Sequence, residues 1–453
     1  VKLIRSIITS LLTVTLLGGT PMAFAHDELG DVSVEKGQHD QYETVPTLQG
    51  SKNFKYLTEV AAVPLKERKP GVRNTGADVY AHKGFAYMGT HVANGAEGGV
   101  RIFDLKDPAN PVEVAVMAND LPGTWQEKVI VKSINTPYFK GDLAAVSVQK
   151  LNRTSQDAQG GFALYDVTNP YEPKKLGFWE LDSRVRGTHE LYLTQQGGRA
   201  LVLTANPYAD YYTHGETKDF AIVDVTDPTN PTTIYQFDPR TVGGVPQDFN
   251  GYHWKDESSG GKIRPVFAHS VKTDENGTTA YVSMWDLGTI IFDIRDPENP
   301  KLLGRTSFEA NVQGAAHSSA LAKGGTILIE TREVYQPTKE GYESSYGYTR
   351  IYDIKDKTNP VLISTFKTEL VDDVENGVTF ANTVHDPKVH GNTLYLSHYA
   401  GGVRIVDITD PSSPKEIGVY VPENSDVWGV FVDRNYILAS DIGTGLKVLQ
   451  KRK

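Results

Sequence analysis

Apolar and polar positions alternate along this chain in short bursts, and the plainest of them is an apolar run closed by aspartate. Six copies end at Asp104, Asp166, Asp224, Asp293, Asp353 and Asp407. Three residues after each aspartate a turn sequence begins: DPANP, NPYEP, DPTNP, DPENP, DKTNP and DPSSP. Asp or Asn before Pro is a turn with a mechanism, because the side-chain oxygen bonds backbone ahead of it while Pro presets φ. A second apolar run follows the turn, as in PVEVAVM (Pro111–Met117), KKLGFW (Lys174–Trp179) and KEIGVY (Lys415–Tyr420). The sixth unit predicts four strands, at His385–Val389, Thr393–Ser397, Val403–Ile408 and Lys415–Val421, with Gly391-Asn392 turning the first into the second.

The closing aspartates are 62, 58, 69, 60 and 54 residues apart, with 43 more to Gln450 in a degenerate seventh copy, TGLKVLQ. Four short strands per unit at this spacing are the mark of propeller blades. The chain opens with Tyr56–Pro64, YLTEVAAVP, which matches the last strand of a unit, and the seventh copy ends where that strand is missing. Six whole units and one divided between the termini predict an all-β fold, a seven-bladed β-propeller of four-stranded blades. The N-terminal strand closes the last blade and leaves no long open sheet edge. The propeller is expected over 54–453, after an extended polar arm over 26–53.

Alternating strand direction sorts the connections onto two faces. Asp-Pro turns and first hairpins share one face and read as structural. The other face carries the insertions Lys150–Gln159, Asn206–Thr217 and Arg332–Gly347 and the long link Asp238–Arg264. Functional loops gather on one side of a rigid scaffold, so the site is expected there.

The strand-Asp-φ-x-Asp-Pro-x-x-Pro unit resembles the LVIVD repeat of secreted and surface β-propeller proteins. The resemblance covers about Tyr56–Gln450; Lys357 replaces the first Pro in the fifth unit, and Gln450 stands for Asp in the seventh. It implies an extracytoplasmic propeller and no single activity.

Composition narrows the setting. Residues 1–25 read as a secretory signal peptide: Lys2 and Arg5, an apolar stretch Ile7–Leu17, then Ala23-Phe24-Ala25 as the cleavage pattern. No later run suggests a transmembrane anchor in the mature chain. The chain has no cysteine, which excludes disulfides and thiolate metal sites. Its net charge of −10 argues against nucleic acid as a partner. An extracytoplasmic location follows, whether secreted, cell-surface or periplasmic, with the closed ring expected as a monomer.

The candidate chemistry lies at the start of the innermost strands. His189, His269, His317 and His385 occupy matching places in four consecutive units, and alignment puts Glu127, Ala77 and Trp428 at the equivalent places elsewhere. Matched positions on innermost strands converge on the propeller axis. Converging imidazoles repel when protonated and need partners when neutral and buried. A single transition metal, Zn, Fe, Cu or Mn, held by His189, His269, His317, His385 and Glu127, satisfies them together; Glu127 serves equally well as an outer partner that orients an imidazole. Inherited repeat packing, each ring bonded to neighbouring backbone, is the alternative. His398, Trp285, Tyr211 and Tyr335 are candidate ligand contacts on the same face.

Two functions are consistent with this pattern. One is a metalloenzyme acting on a small molecule; no motif names its catalytic residues. The other is a non-enzymatic surface propeller that binds protein or glycan through its Tyr-rich loops, which tyrosine suits as a rigid amphipathic contact.

Overall fold

The computed structural model of the chain describes residues 53–66, 75–91, 98–309, 312–333, 347–368 and 383–452. The expected signal peptide, all but the last residue of the expected arm, and Tyr335 lie outside the described residues. The fold is a seven-bladed β-propeller of four-stranded antiparallel blades, as the repeats predict. In the sixth unit the strands are Pro387–His390, Thr393–Ser397, Val403–Asp407 and Lys415–Val421, close to the expected bounds. The seventh blade closes as expected, with Leu57–Val63 antiparallel to Gly445–Lys451. Just before it, Asn53–Lys55 pairs with Lys415–Val421 and adds a fifth strand to the sixth blade. The start of the chain thus ties two adjacent blades together. Each innermost strand contacts the next around the ring, and the seventh contacts the first. Among the described residues, no helix is long and apolar enough to cross a membrane.

The aspartate signature works as two consecutive turns. Asp407 Oδ1 accepts the Thr409 N–H at 2.8 Å, and Asp410 Oδ1 accepts the Ser412 N–H at 3.0 Å. Asp104 and Asp107 do the same for Lys106 and Ala109, and Asp353 and Asp356 for Lys355 and Thr358. Each aspartate bonds the N–H two residues on, which is why short acidic residues recur there.

A second regularity lies in the outer strands. In every blade the register between third and fourth strands slips by one residue, and the residue left unpaired is aliphatic: Val114, Leu176, Ile234, Leu303, Ile363, Ile417 and Val60. Such a bulge sharpens the local twist, and here it turns one apolar side chain onto the core. All seven pack against buried clusters between blades. Val60 lies in Leu57–Val63, so the N-terminal strand carries the same device as the other outermost strands.

Candidate metal centre

The axis begins with the backbone. The N–H groups of His189, His269 and His385 donate to the carbonyls of Ala205, Ser283 and Ser397, each at 2.9 Å, at the end of the neighbouring second strand. In the fifth and seventh blades the innermost strand skips a residue there, leaving His317 and Trp428 unpaired between flanking partners. The first blade skips Ala77 and Asp78. Bulges of this kind re-aim side chains, and these aim them at the propeller axis.

Four imidazoles lie there in sequence. The His189 and His269 rings lie 4.5 Å apart, His269 and His317 3.9 Å, and His317 and His385 4.6 Å. His189 Nε2 faces His269 Nε2 at 3.1 Å. Trp428 continues the ring 4.5 Å from His385. His91, which the alignment of first strands does not reach, follows Trp428 at 4.7 Å, and Trp125 lies 5.3 Å further on.

Two of the four rings, His317 and His189, have their opposite nitrogens tied down. His317 Nδ1 lies 3.1 Å from the His385 carbonyl. A carbonyl only accepts, so Nδ1 carries the proton and Nε2 keeps its lone pair. His189 Nδ1 lies 2.7 Å from Glu127 Oε2 and 3.0 Å from Gln149 Oε1, which again leaves Nε2 toward His269. Burial pulls the His189 imidazole down, and the Glu127 carboxylate outweighs it, so its pKa rises. His317 falls well below its ordinary value through burial and the neighbouring His385 and His189. Burial takes His385 down to about 3.

Glu127 therefore sits on the far side of His189 from His269, where an orienting partner sits. The carboxylate that joins the nitrogens is Glu333, which the sequence reading missed. His269, His317 and Glu333 bring one ligand atom each within 4.8 Å of one another, and all three are buried. Glu333 Oε2 is 3.3 Å from His317 Nε2, and its other oxygen accepts from the Tyr399 hydroxyl. A signal for Glu333 exists in the ends of the second strands. Ser283-Met284-Trp285, Ser397-His398-Tyr399 and Thr331-Arg332-Glu333 align, and the third residue of each reaches the cluster. Trp285 and Tyr399 hold φ of 47° and 45°, uncommon for bulky residues. The strain persists because the surroundings over-determine it: each backbone bridges to the next blade, Trp285 to Ala316 and Tyr399 to Val427.

The other candidate ligand contacts divide. Trp285 is buried in the wall beside His269 and His317, its ring 5.6 Å from the first. Tyr211 packs with Tyr212 against a cluster of Tyr208, Tyr252, Phe267, Trp285 and Ala315, so the tyrosines of this insertion brace the site. His398 is buried in the turn before Gly402, to whose carbonyl its N–H donates.

Comparison with known proteins agrees with this fold. No curated protein matches the sequence. Among solved structures, a catalytically inactive variant of virginiamycin B lyase from Staphylococcus aureus with quinupristin is 11% identical with a TM-score of 0.51; the match covers 88% of this chain and 99% of that one. The computationally designed Ika8 protein is 10% identical with a TM-score of 0.47, covering 86% and 99%. At this identity the first likeness concerns the fold alone. The LVIVD repeat model matches residues 212–238 and 383–421, in the third and sixth blades. The chain is a seven-bladed β-propeller carrying LVIVD repeats.

Proposed function

We propose that the axial cluster binds one transition metal ion through His189, His269, His317 and His385, with Glu333 as its carboxylate, and that this centre acts on a small molecule. The supporting observation is the convergence of four buried imidazoles, two of which, His189 and His317, have their far-side nitrogens already committed. Two nitrogens on one ion, each at about 2.0–2.1 Å, stand roughly 3–3.4 Å apart. The His189 and His269 Nε2 atoms are 3.1 Å apart, and His317 Nε2 is 3.3 Å from Glu333. Ligating histidines give their other N–H to a carboxylate or carbonyl, and Glu127 and the His385 carbonyl occupy those places. The nitrogen-rich set suits Zn, Fe, Cu or Mn and does not suit Ca or Mg. Such an ion supplies Lewis-acid or redox chemistry when bound. The chain's own residues orient His189 and His317, keep His317 and His385 neutral, and wall the site with Trp285 and Tyr399.

The N-terminal signal pattern and the LVIVD repeat support an extracytoplasmic protein. The test is metal content by mass spectrometry of purified protein beside a His269→Ala/His317→Ala variant. About one transition metal per wild-type chain, absent from the folded variant, is the expected result. No metal after incubation with Zn, Fe, Cu and Mn salts overturns the proposal.

A further inference from the structure

One residue further along the innermost strands the axis changes character. The residues that follow Ala77, Glu127, His189 and His385 are Asp78, Lys128, Glu190 and Asp386, all nearly inaccessible. Lys128 Nζ lies 2.8 Å from Asp78, 2.9 Å from Glu190 and 3.7 Å from Asp386. In the seventh blade the equivalent residue is Gly429, where a Cβ would collide with the Asp78 carboxylate. These groups form the floor of a cavity of about 370 Å³. Its wall continues through Tyr80, Tyr192, Lys272, Lys388 and Phe431 to Glu275 and His390 in the first hairpins. The cavity therefore belongs to the end of the axis away from the insertions, the face that the sequence marks as merely structural.

One group in it lacks a partner, and one oxygen of a paired carboxylate is spare. Lys272 is part-exposed into the cavity and makes no hydrogen bond or ion pair among the described residues. Asp78 is 2% exposed, and its Oδ1 accepts no hydrogen bond. The Asp386 carboxylate attracts Lys272 from a distance but already serves Lys128 and Lys388, so the Lys272 ammonium is enclosed beside other cations with no anion of its own, which is costly. Burial and the nearby Lys388 push the Lys272 ammonium down to about 8, a sign of that cost. Around them Tyr80, Tyr192, Phe431, Val271 and Val432 offer apolar surface. A volume of this size is at the small end of ligand sites, about 300–1,000 Å³.

We propose that this cavity is a second ligand site, which takes a small organic anion: its carboxylate against Lys272 and its apolar body along Tyr80, Tyr192 and Phe431. The site stands apart from the axial histidines and does not depend on a metal there.

A panel of small aromatic and aliphatic carboxylates, with 4-hydroxybenzoate as the lead probe and tyramine as its cationic counterpart, tests this by protein-observed NMR and calorimetry. Expected is binding of 4-hydroxybenzoate with shifts at Lys272 and Tyr192, no comparable binding of tyramine, and affinity reduced about tenfold or more in Lys272→Met. Lys272→Arg should retain binding, and so should the His269→Ala/His317→Ala variant. The proposal is overturned if no carboxylate binds at about 10 mM, if tyramine binds as well, or if Lys272→Met binds unchanged. Loss of binding in the histidine variant alone also overturns it, because the anion would then sit on the axial centre.

Discussion

His189 is followed by Glu190, His385 by Asp386, and Glu127 by Lys128. The first of each pair belongs to the imidazole ring and its support, the second to the floor of the cavity. Two rings one residue apart on the same strands thus solve the burial problem in opposite ways. The upper ring stays neutral where it can: burial lowers His317 and His385, and only His189, beside a carboxylate, gains basicity. The lower ring keeps its charges and pairs them, with Lys128 held ionised despite burial by three carboxylates. Neutral nitrogens with lone pairs can accept a ligand ion, whereas paired charges are already each other's ligands. The difference gives each ring its own way of failing.

The largest effect is expected at Lys128. Lys128→Met keeps the bulk and leaves three buried carboxylates without their common cation, which should cost about 3–5 kcal/mol. Urea unfolding measures it. A cost below about 1 kcal/mol would mean that neutral carboxyls already share the floor; Glu190, which burial pushes up to about 7, is the first to suspect.

Protonation should break the upper ring instead. In metal-free protein, His317 and His385 have folded pKa values below the unfolded value of about 6.5. Unfolding then takes up a proton at each, so stability falls as pH drops below about 6.5, by about 1.4 kcal/mol per pH unit for each group. His189 runs the other way: its raised pKa contributes stability fully present below about 6.5 and lost as pH rises through the folded value. Glu190 and Asp219, whose carboxyls burial raises to about 7 and about 8, oppose this fall over the same range, so the His385 contribution is read by difference: in urea unfolding of metal-free protein, wild type should lose about 1 kcal/mol more than His385→Gln between pH 6 and 5. An equal loss in that variant would remove His385 from the titration.

The two rings were not equally legible in the sequence. Blade number, the closing N-terminal strand and the four histidines follow from repetition, since duplicated strands place matched residues on one axis. Glu333 and His91 were missed because they come from the ends of second strands, where the loops differ from blade to blade. Glu127 was legible as a carboxylate on the axis, but its orienting position depends on which face of one imidazole it meets, and that is set by Gln149 and His269 nearby. The cavity escaped for a different reason. Asp78, Lys128, Glu190 and Asp386 look like ordinary charged residues beside a strand start, and only the bulges and strand starts at the axis bring them face to face.

Support of the upper ring by Glu127 can be measured apart from stability. Glu127→Gln keeps an acceptor beside His189 and removes the charge that holds its Nδ1 proton. On the metal reading, affinity should fall about 10–100-fold in chelator competition with the fold intact. A loss near complete would make Glu127 a direct ligand, contrary to its place on the far side of His189.

The smallest effect should come from the second cavity lysine. Lys272 and Lys128 line the same space, yet one has three partners and the other none among the described residues. Lys272→Met removes no ion pair, and the repulsion from Lys388 that it relieves is offset by the attraction to Asp386 that it loses, so stability should change by no more than about 0.5 kcal/mol, in either direction. A lysine kept in a partly enclosed space at no benefit to the fold is one whose partner comes from outside. If Lys272→Met instead destabilised as Lys128→Met does, Lys272 would be one more strut of the charged floor, and the contrast on which the anion site rests would disappear.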